Sequence, residues 1–252
     1  MDNRLVMPSR GVVAPNYFVM TPENFVANAL PHFVKTVARP LATPRDIAAK
    51  FGQYLLEFEQ GGGSVQPQGA GFETFLYELD GAVSVTAVGS VHTLSPGDYC
   101  YLPVGATFSI SASDSEPAKT LWTKRRYEAV EGIPVPSVIF GHKGEALDIV
   151  PPPPGQYTYC ELLPASNPSF DFAMNILTAQ PGGSIGMIEI HHQEHGLLML
   201  TGRGIYYLAA DFHEVSKGDY IYMAPYCPQT FYGIGDEPAS YLLYKDVNRD
   251  GF

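Results

Sequence analysis

The chain has 252 residues, of which 45% are apolar and 16% charged, and its net charge is −11. That length allows one large or two medium domains, each with a real hydrophobic core. The only basic cluster is Lys124-Arg125-Arg126, which we interpret as a solvated hairpin end. Nucleic acid is therefore a poor candidate partner.

Cysteine content and the N-terminal sequence bear on the compartment. The three cysteines, Cys100, Cys160 and Cys227, are odd in number and widely spaced, so we expect reduced, structural thiols. Residues 1–17 contain no apolar signal core, and no run approaches the ~18 apolar residues of a membrane span. We expect a cytoplasmic protein with no membrane partner.

In chain order, the sequence predicts many short strands. Residues 1–44 are interrupted by prolines and should form an ordered arm with short strands. Residues 51–58 predict a strand, the glycines at 61–63 predict a turn, and further apolar segments divided by Gly, Pro and Asp follow. With 25 glycines and 22 prolines, this pattern is typical of an all-β barrel or sandwich.

Residues 131–157 predict a stiff linker, because they include four consecutive prolines at 151–154. This gives four predicted parts: an arm (1–44), a first β domain (45–130), the linker, and a second β domain (158–252).

The second half of the chain repeats the first at an offset of 121 residues. Three pairs of glycines share this offset: Gly62 and Gly183, Gly81 and Gly202, and Gly97 and Gly218. The last pair opens the same Gly-Asp-Tyr sequence in both halves. Glycines mark fixed turns, so their register predicts two copies of one β domain.

One stretch of the second copy, residues 183–202, concentrates histidines. His191, His192 and His195 fall within five residues, and Glu189 lies two residues before the first of them. In a regular strand Glu189, His191 and His195 share one face, whereas His192 and Glu194 face the other way. Carboxylate oxygen and imidazole nitrogen suit a divalent first-row metal, although a chance cluster on a hairpin is the alternative.

The repeat supplies an internal control for this metal hypothesis. At the offset of 121 residues, Gln68, Ala70 and Thr74 stand in the first copy where Glu189, His191 and His195 stand in the second. The first copy therefore lacks a ligand set, and only the second is expected to hold a metal.

These glycines and histidines resemble the cupin signature. The first cupin motif runs Gly, five residues, His-x-His, three or four residues, Glu, six residues, Gly; here Gly183 and Gly202 enclose Glu189, His191 and His195, with Glu and His exchanged. In the second motif, Gln229 takes the place of the final histidine.

The first copy departs from the cupin pattern differently. Gly97, Pro103 and Gly105 fit the second motif there, but Phe108 takes the histidine position. In the second copy, the Pro and Gly of that motif are replaced by Ala224 and Tyr226, so the local turn is expected to differ. The resemblance implies two tandem cupin (double-stranded β-helix, or jelly-roll) domains, the first without its metal site.

Longer segments resemble the bicupin (S)-ureidoglycine aminohydrolases. They include the sequences at 71–77, 124–127, 189–196, 217–221 and 245–250, and the Ser-Arg-Gly at 9–11. The resemblance implies manganese-dependent hydrolysis of a small anionic ureido substrate, (S)-ureidoglycine, to (S)-ureidoglycolate and ammonia in allantoin degradation. It also implies a homo-oligomer.

The resemblance also implies roles for individual residues. It makes Glu189, His191, His195 and Gln229 the metal ligands and Tyr206, Tyr241 and Lys245 substrate-binding residues. The reaction also needs an acid/base group, for which Lys245 is the candidate, and we expect Glu189 to contact substrate and share proton transfer through its free oxygen. Each role has a structural alternative. Lys245 corresponds to Lys124 in the first copy, and either tyrosine fits a plain core position.

Two other functions stay open on the sequence. One is another bicupin metalloenzyme of the dioxygenase or decarboxylase type, which typically resembles a three-His, one-Glu ligand set. The other is a binding module without catalysis. The ligand types accept several divalent first-row metals, so they do not select manganese by themselves.

Overall fold

The computed structural model describes residues 9–45, 49–151 and 156–249. Most of the predicted proline run, at 152–155, lies outside the described residues, as does the last residue of the 245–250 segment. Within the described residues, twenty strands and two short 3-10 helices (Pro22–Asn24 and Lys143–Glu145) are present, and no helix is long and apolar enough to cross a membrane.

The first ten strands are β1 (Val12–Ala14), β2 (Tyr17–Met20), β3 (Phe33–Ala42), β4 (Phe51–Ser64), β5 (Glu73–Asp80), β6 (Val83–Ala87), β7 (Ser90–Leu94), β8 (Asp98–Leu102), β9 (Phe108–Ala112) and β10 (Ala118–Arg125). The others are β11 (Ile139–His142), β12 (Asp148–Ile149), β13 (Tyr157–Leu163), β14 (Phe172–Ala179), β15 (His195–Thr201), β16 (Arg203–Leu208), β17 (Asp211–Ser216), β18 (Tyr220–Met223), β19 (Gln229–Ile234) and β20 (Ala239–Asp246).

The chain packs as two compact units. The first takes in residues up to Phe25, Val150–Thr158 and Leu177–Leu243; the second takes in Val26–Ile149, Tyr159–Ile176 and the residues from Tyr244 onward. These units are defined by packing, and their boundaries do not coincide with those of the repeat. The four-part division drawn from the sequence therefore stays a prediction.

The second unit is built on one nine-stranded sheet. Its strand order is β11-β8-β5-β10-β4-β9-β6-β7, with β3 also paired to β4. The sheet's pairings are antiparallel, and β10 lies between β4 and β5 with Trp122 opposite Tyr54 on one side and Leu76 on the other. Alternate residues of these strands, such as Leu56, Leu76 and Trp122, meet in one hydrophobic core.

The first unit contains two groups of strands. In one, β18 lies between β15 and the N-terminal β2, which is itself paired with β1. In the other, β16 lies between β17 and β19. The short strands expected in the N-terminal arm are thus present, and Arg10 donates two hydrogen bonds, at 2.8 and 2.9 Å, to the buried Asp219 just before β18.

The internal repeat is confirmed at the level of individual turns. Gly81 and Gly202 have positive φ angles of 73° and 65°, and Gly97 and Gly218 have 96° and 92°. Only glycine adopts this conformation without steric cost, which is why the sequence preserves it in both copies. Strands β10 and β20 also start and end at positions exactly one repeat apart.

The predicted turn at residues 61–63 is wrong, because all three glycines lie inside the long strand β4. A Cβ atom on Gly62 would collide with the carbonyl oxygen of Lys35, and one on Gly63 with that of Ile110. These glycines therefore allow neighbouring strands to approach closely rather than reversing the chain.

The interpretation of the basic trio as a solvated hairpin end is also wrong for two of its members. Arg125 is only 2% exposed, and its guanidinium donates hydrogen bonds to the Tyr244 hydroxyl at 2.9 Å and to the Asp171 carbonyl at 3.1 Å. Lys124 is half-buried, and only Arg126 is exposed. Buried guanidinium groups need such partners, and periodicity alone did not reveal them.

The same unit contains a buried carboxyl pair. Glu73 is fully buried and accepts a hydrogen bond from the Tyr101 hydroxyl at 2.8 Å. Burial and, after it, the hydrogen bond and charge of the adjacent Asp171 carboxylate raise the pKa of Glu73 to about 10. Glu73 is therefore a neutral acid at physiological pH.

The Glu73→Gln variant is expected to flatten the pH dependence of stability. The pKa of Glu73 is about 10 in the folded protein, against an ordinary value of 4.5. Between these values the folded state keeps a proton that the unfolded chain has released. Its stabilisation is complete below pH 4.5 and declines as pH rises, by up to about 1.4 kcal/mol per pH unit.

Urea unfolding at pH 6 and pH 9 measures this slope. Wild type should lose more stability than Glu73→Gln over that interval, whereas the exposed control Glu59→Gln should follow wild type. Equal slopes for wild type and Glu73→Gln would contradict the assignment.

Candidate metal and active site

The segment carrying the histidines is not one regular strand, so the condition for the shared face of Glu189, His191 and His195 is not met. Strand β15 begins only at His195, and residues 185–194 form bends and loops apart from a single bridge at Glu189. Gly186 lies in this segment with a φ of 83°. Strict alternation therefore does not decide which of these side chains share a face.

A pair of backbone hydrogen bonds fixes the segment instead. Glu189 donates its N–H to the carbonyl of Gln229 at 2.8 Å, and Gln229 returns a bond to Glu189 at 3.0 Å. The first copy forms the same bridge between Gln68 and Phe108. Main-chain hydrogen bonds thus hold together the first and last residues of the predicted ligand set, Glu189 and Gln229.

Three of the four predicted ligands converge. The Nε2 atoms of His191 and His195 are 3.3 Å apart, and the side-chain amide nitrogen of Gln229 lies 3.2 Å from His191 Nε2. The rings of the two histidines are nearly perpendicular, at 82°. His195 and Gln229 are each only 4% exposed, whereas His191 is half-buried, so two of the three donors are shielded from water.

The carboxylate of Glu189 is placed differently. No group of three or more His, Cys, Asp and Glu side chains in the described ranges is arranged to hold a metal ion. The convergent cluster therefore has three donor side chains only when the Gln229 amide is counted with the two histidines. Burial first, and to a smaller extent the charge of nearby Glu189, raises the pKa values of Tyr206 and Tyr241.

The two predicted substrate tyrosines lie together in the core of the first unit. Tyr206 is 2% and Tyr241 1% exposed, and their hydroxyls are hydrogen-bonded to each other. Burial is the main reason that both pKa values are raised, so both remain phenols that donate hydrogen bonds. The edge of Phe231 packs against the Tyr241 ring at 5.2 Å.

The residues flanking the histidines have separate positions. His192 is exposed, whereas Glu194 is 2% exposed and accepts a hydrogen bond from the Tyr222 hydroxyl at 3.2 Å. Glu194 thus lies in the core at the start of β15. Sequence alternation grouped it with His192, and the irregular backbone separates the two.

Two further predicted residues can be placed. Cys227 is buried, and burial raises its pKa, so it is a protonated structural thiol, as are the other two free cysteines. Lys245 is half-buried on β20, four residues after Tyr241 on the same strand, and belongs to the second packing unit.

Sequence reasoning did not identify Tyr226 as a structural part of the site. Its φ is 65°, close to the 87° of Gly105, its counterpart one repeat earlier. The expectation that this turn differs is therefore wrong for the backbone conformation. Tyr226 keeps the left-handed conformation of its counterpart although it is not a glycine. The N–H of Tyr226 donates to the carbonyl of His191 at 2.7 Å, which holds that histidine in place.

Comparisons with known proteins agree with this architecture. The cupin domain model matches residues 175–244, and the EutQ-like cupin domain model matches residues 48–126. The chain is 38% identical to (S)-ureidoglycine aminohydrolase of Escherichia coli (strain K12), over 93% of this chain and 90% of that protein. It is 33% identical to (S)-ureidoglycine aminohydrolase of Arabidopsis thaliana, over 96% and 79%.

A solved structure gives the same result. The crystal structure of protein Ylba from E. coli superposes with a TM-score of 0.87 at 37% identity, covering 97% of this chain and 96% of that one. The predicted fold is therefore confirmed: the chain is an all-β protein with two cupin domains in tandem. Within the cupins, it belongs to the (S)-ureidoglycine aminohydrolase family.

The strained turn at Tyr226 generates a stability prediction. Its side chain is 65% exposed and contributes little packing. Tyr226→Gly is expected to leave the free energy of unfolding unchanged or to raise it by up to about 1 kcal/mol, because relief of backbone strain competes with a more flexible unfolded chain. Tyr226→Val should lower it by about 1–2 kcal/mol, because a β-branched residue tolerates positive φ poorly.

Chemical denaturation of the two variants tests this difference. A Gly variant less stable than the Val variant would show that the tyrosine side chain, rather than its backbone, matters at this position.

Proposed function

We propose that the protein hydrolyses (S)-ureidoglycine to (S)-ureidoglycolate and ammonia with the help of a bound manganese ion. The observation that carries this proposal is the convergence of His191, His195 and Gln229 in the second copy, in a chain of the (S)-ureidoglycine aminohydrolase family. Oxygen-dependent or decarboxylating chemistry has no comparable support.

The converging atoms fit a divalent cation. Two imidazole Nε2 atoms at 3.3 Å cannot both direct an N–H at each other, but both lone pairs can bind one metal. Ligand atoms about 2.1 Å from a metal and at right angles to each other lie roughly 3 Å apart, close to the observed spacing. With the amide of Gln229 turned so that its oxygen faces inward, the set becomes two nitrogens and one oxygen.

In the proposed centre, His191, His195 and Gln229 hold the ion and Glu189 supplies the fourth ligand. Main-chain hydrogen bonds fix Glu189 beside Gln229, and the proposal requires the Glu189 side chain to turn toward the ion. Bound there, manganese would supply Lewis-acid chemistry and a point of attachment for an anionic substrate. A neutral Gln229 in place of a second carboxylate leaves more positive charge to attract that anion.

The reaction exchanges one bond at the substrate's central carbon. Its C–N bond to the amine breaks and a C–O bond to water forms; water loses a proton, and the departing amine gains one to leave as ammonia. Protein groups must therefore accept and donate protons next to that carbon. Glu189 is the proposed acceptor for the proton of water.

The remaining roles extend the same proposal. Tyr206 and Tyr241, which are phenols near the charge of Glu189, are proposed to orient the carboxylate and ureido groups by donating hydrogen bonds. The assignment of Lys245 as a substrate-binding and acid/base residue stays a prediction of the family resemblance. The cytoplasmic location and the homo-oligomer stay predictions as well.

Metal content provides a direct prediction. His191→Ala and Gln229→Ala should lose most of the manganese that the purified protein retains, whereas His192→Ala should keep it. The last variant is a matched control, because His192 is exposed next to His191. Elemental analysis after gel filtration gives the stoichiometry, with circular dichroism to confirm folding. Retention of one manganese per chain by His191→Ala would contradict the proposed centre.

Activity is tested by ammonia release from freshly generated ureidoglycine, against its spontaneous decay. Metal-stripped protein should show little acceleration, and added manganese should restore a rate that yields only the S product. Glu189→Gln should lower kcat by about 100-fold or more, because both the proposed base and the charged fourth ligand are lost. Full activity of Glu189→Gln would contradict its role, and no acceleration with any divalent metal would contradict the proposed reaction.

A further inference from the structure

The first copy has an apolar core at the positions where the second copy has its predicted metal ligands. Phe108, the counterpart of Gln229, is 1% exposed and packs edge-on against Trp122, with ring centroids 5.9 Å apart. Ala70 and Thr74 stand where the second copy has its histidines. The conversion is incomplete, however, because polar and charged groups remain next to this core.

The most unusual of these groups is Lys124. Its ammonium lies 4.5 Å from the ring centroid of Trp122, 4.6 Å from that of Tyr54 and 5.5 Å from that of Phe72. Three aromatic rings around one ammonium stabilise its charge only in part. Burial lowers the pKa of Lys124 and is the single cause of that shift, so no nearby carboxylate compensates for the burial.

A second cation lies beside it. The guanidinium of Arg126, two residues further on the chain, is 5.2 Å from the Phe72 ring and is exposed to solvent. Across the described ranges of the chain, neither Arg126 nor Lys124 forms an ion pair. The chain as a whole has a net charge of −11. Two neighbouring cations without carboxylate partners therefore make this a locally positive site.

Two buried polar side chains complete the cluster. Trp122 is 4% and Thr74 1% exposed, yet neither the indole N–H nor the threonine hydroxyl has a hydrogen-bond partner in the described structure. Thr74 lies directly opposite Lys124 in the β5–β10 register, and Trp122 precedes Lys124 by two residues on the same strand face. Unsatisfied buried groups are costly and rare, so these two donors are available to hydrogen-bond a ligand.

We propose that this cluster, which we call the Lys124 cage (Lys124, Arg126, Trp122, Tyr54, Phe72 and Thr74), is a binding site for a small organic carboxylate. Lys124 and Arg126 pair with the carboxylate, the indole N–H and the Thr74 hydroxyl donate hydrogen bonds, and the rings pack against the planar part of the ligand. The site needs no metal and does not depend on the reaction proposed for the second copy.

The chain contains a single tryptophan, Trp122, so its fluorescence reports directly on the cage. The holoenzyme is titrated with sodium benzoate and with sodium glyoxylate at constant ionic strength. A saturable change in emission with a millimolar Kd is expected for at least one carboxylate, and benzyl alcohol, which lacks the charge, should bind at least 10-fold more weakly than benzoate.

Variants identify the residues responsible. Lys124→Met keeps the aliphatic stem and should weaken carboxylate binding at least 10-fold, and the exposed Arg126→Gln should weaken it several-fold. Lys119→Met is the matched control, because Lys119 lies on the opposite face of the same strand and pairs with Glu57 at 3.2 Å. Thermal unfolding confirms that each variant is folded. If Lys124→Met is not folded, Arg126→Gln alone tests the proposal.

Binding at the cage should survive His191→Ala, which separates it from carboxylate binding in the second copy. Any of four results would overturn the proposal. They are no saturable signal with either carboxylate, unchanged affinity in both Lys124→Met and Arg126→Gln, equal binding of benzyl alcohol, and loss of the signal in His191→Ala.

Discussion

The pair of main-chain hydrogen bonds between Glu189 and Gln229 is the constraint on which the candidate site depends. It ties an irregular segment, which carries two histidines, to the first residue of β19. Main-chain bonds of this kind do not depend on the side chains at either end. The same bridge therefore occurs in the first copy between Gln68 and Phe108, where the side chains have lost all metal-binding character.

This separation of scaffold from chemistry explains how the two copies have diverged. Both retain the bridge, the glycine turns and the left-handed residue that follows β8 or β18. The second copy places imidazole and amide groups on this framework, and the first places Phe108 and Thr74 there. A buried phenylalanine at the position of Gln229 gains packing against Trp122, so the first copy exchanges a polar centre for hydrophobic burial.

Much of the fold was predictable, because the positions of glycines and short apolar segments indicate where turns and strands lie. The register of Gly81 with Gly202 predicted the repeat, and the structure shows matching positive φ angles. The geometry near the histidines was not predictable from periodicity, because residues 185–194 leave the regular strand pattern. Glycine was also an ambiguous signal: at 61–63 it allows close packing within β4 rather than a turn.

Buried charge was the other feature that the sequence concealed. Lys124 and Arg125 are adjacent in a basic run, yet one lies among aromatic rings and the other bonds to Tyr244 and the Asp171 carbonyl. Several of their partners, such as Tyr54 and Tyr244, come from segments distant in the sequence, so composition alone treats both as solvated. The repeat did contain a hint, since Lys124 and Lys245 occupy equivalent positions.

The most direct test of the metal centre is anomalous scattering from manganese-soaked crystals, recorded on both sides of the manganese edge. One strong peak within bonding distance of His191 Nε2, His195 Nε2 and the Gln229 side chain is expected, with none beside Ala70 and Thr74 in the first copy. No peak at the histidines, or a peak of equal strength in the first copy, would contradict a metal centre confined to the second copy.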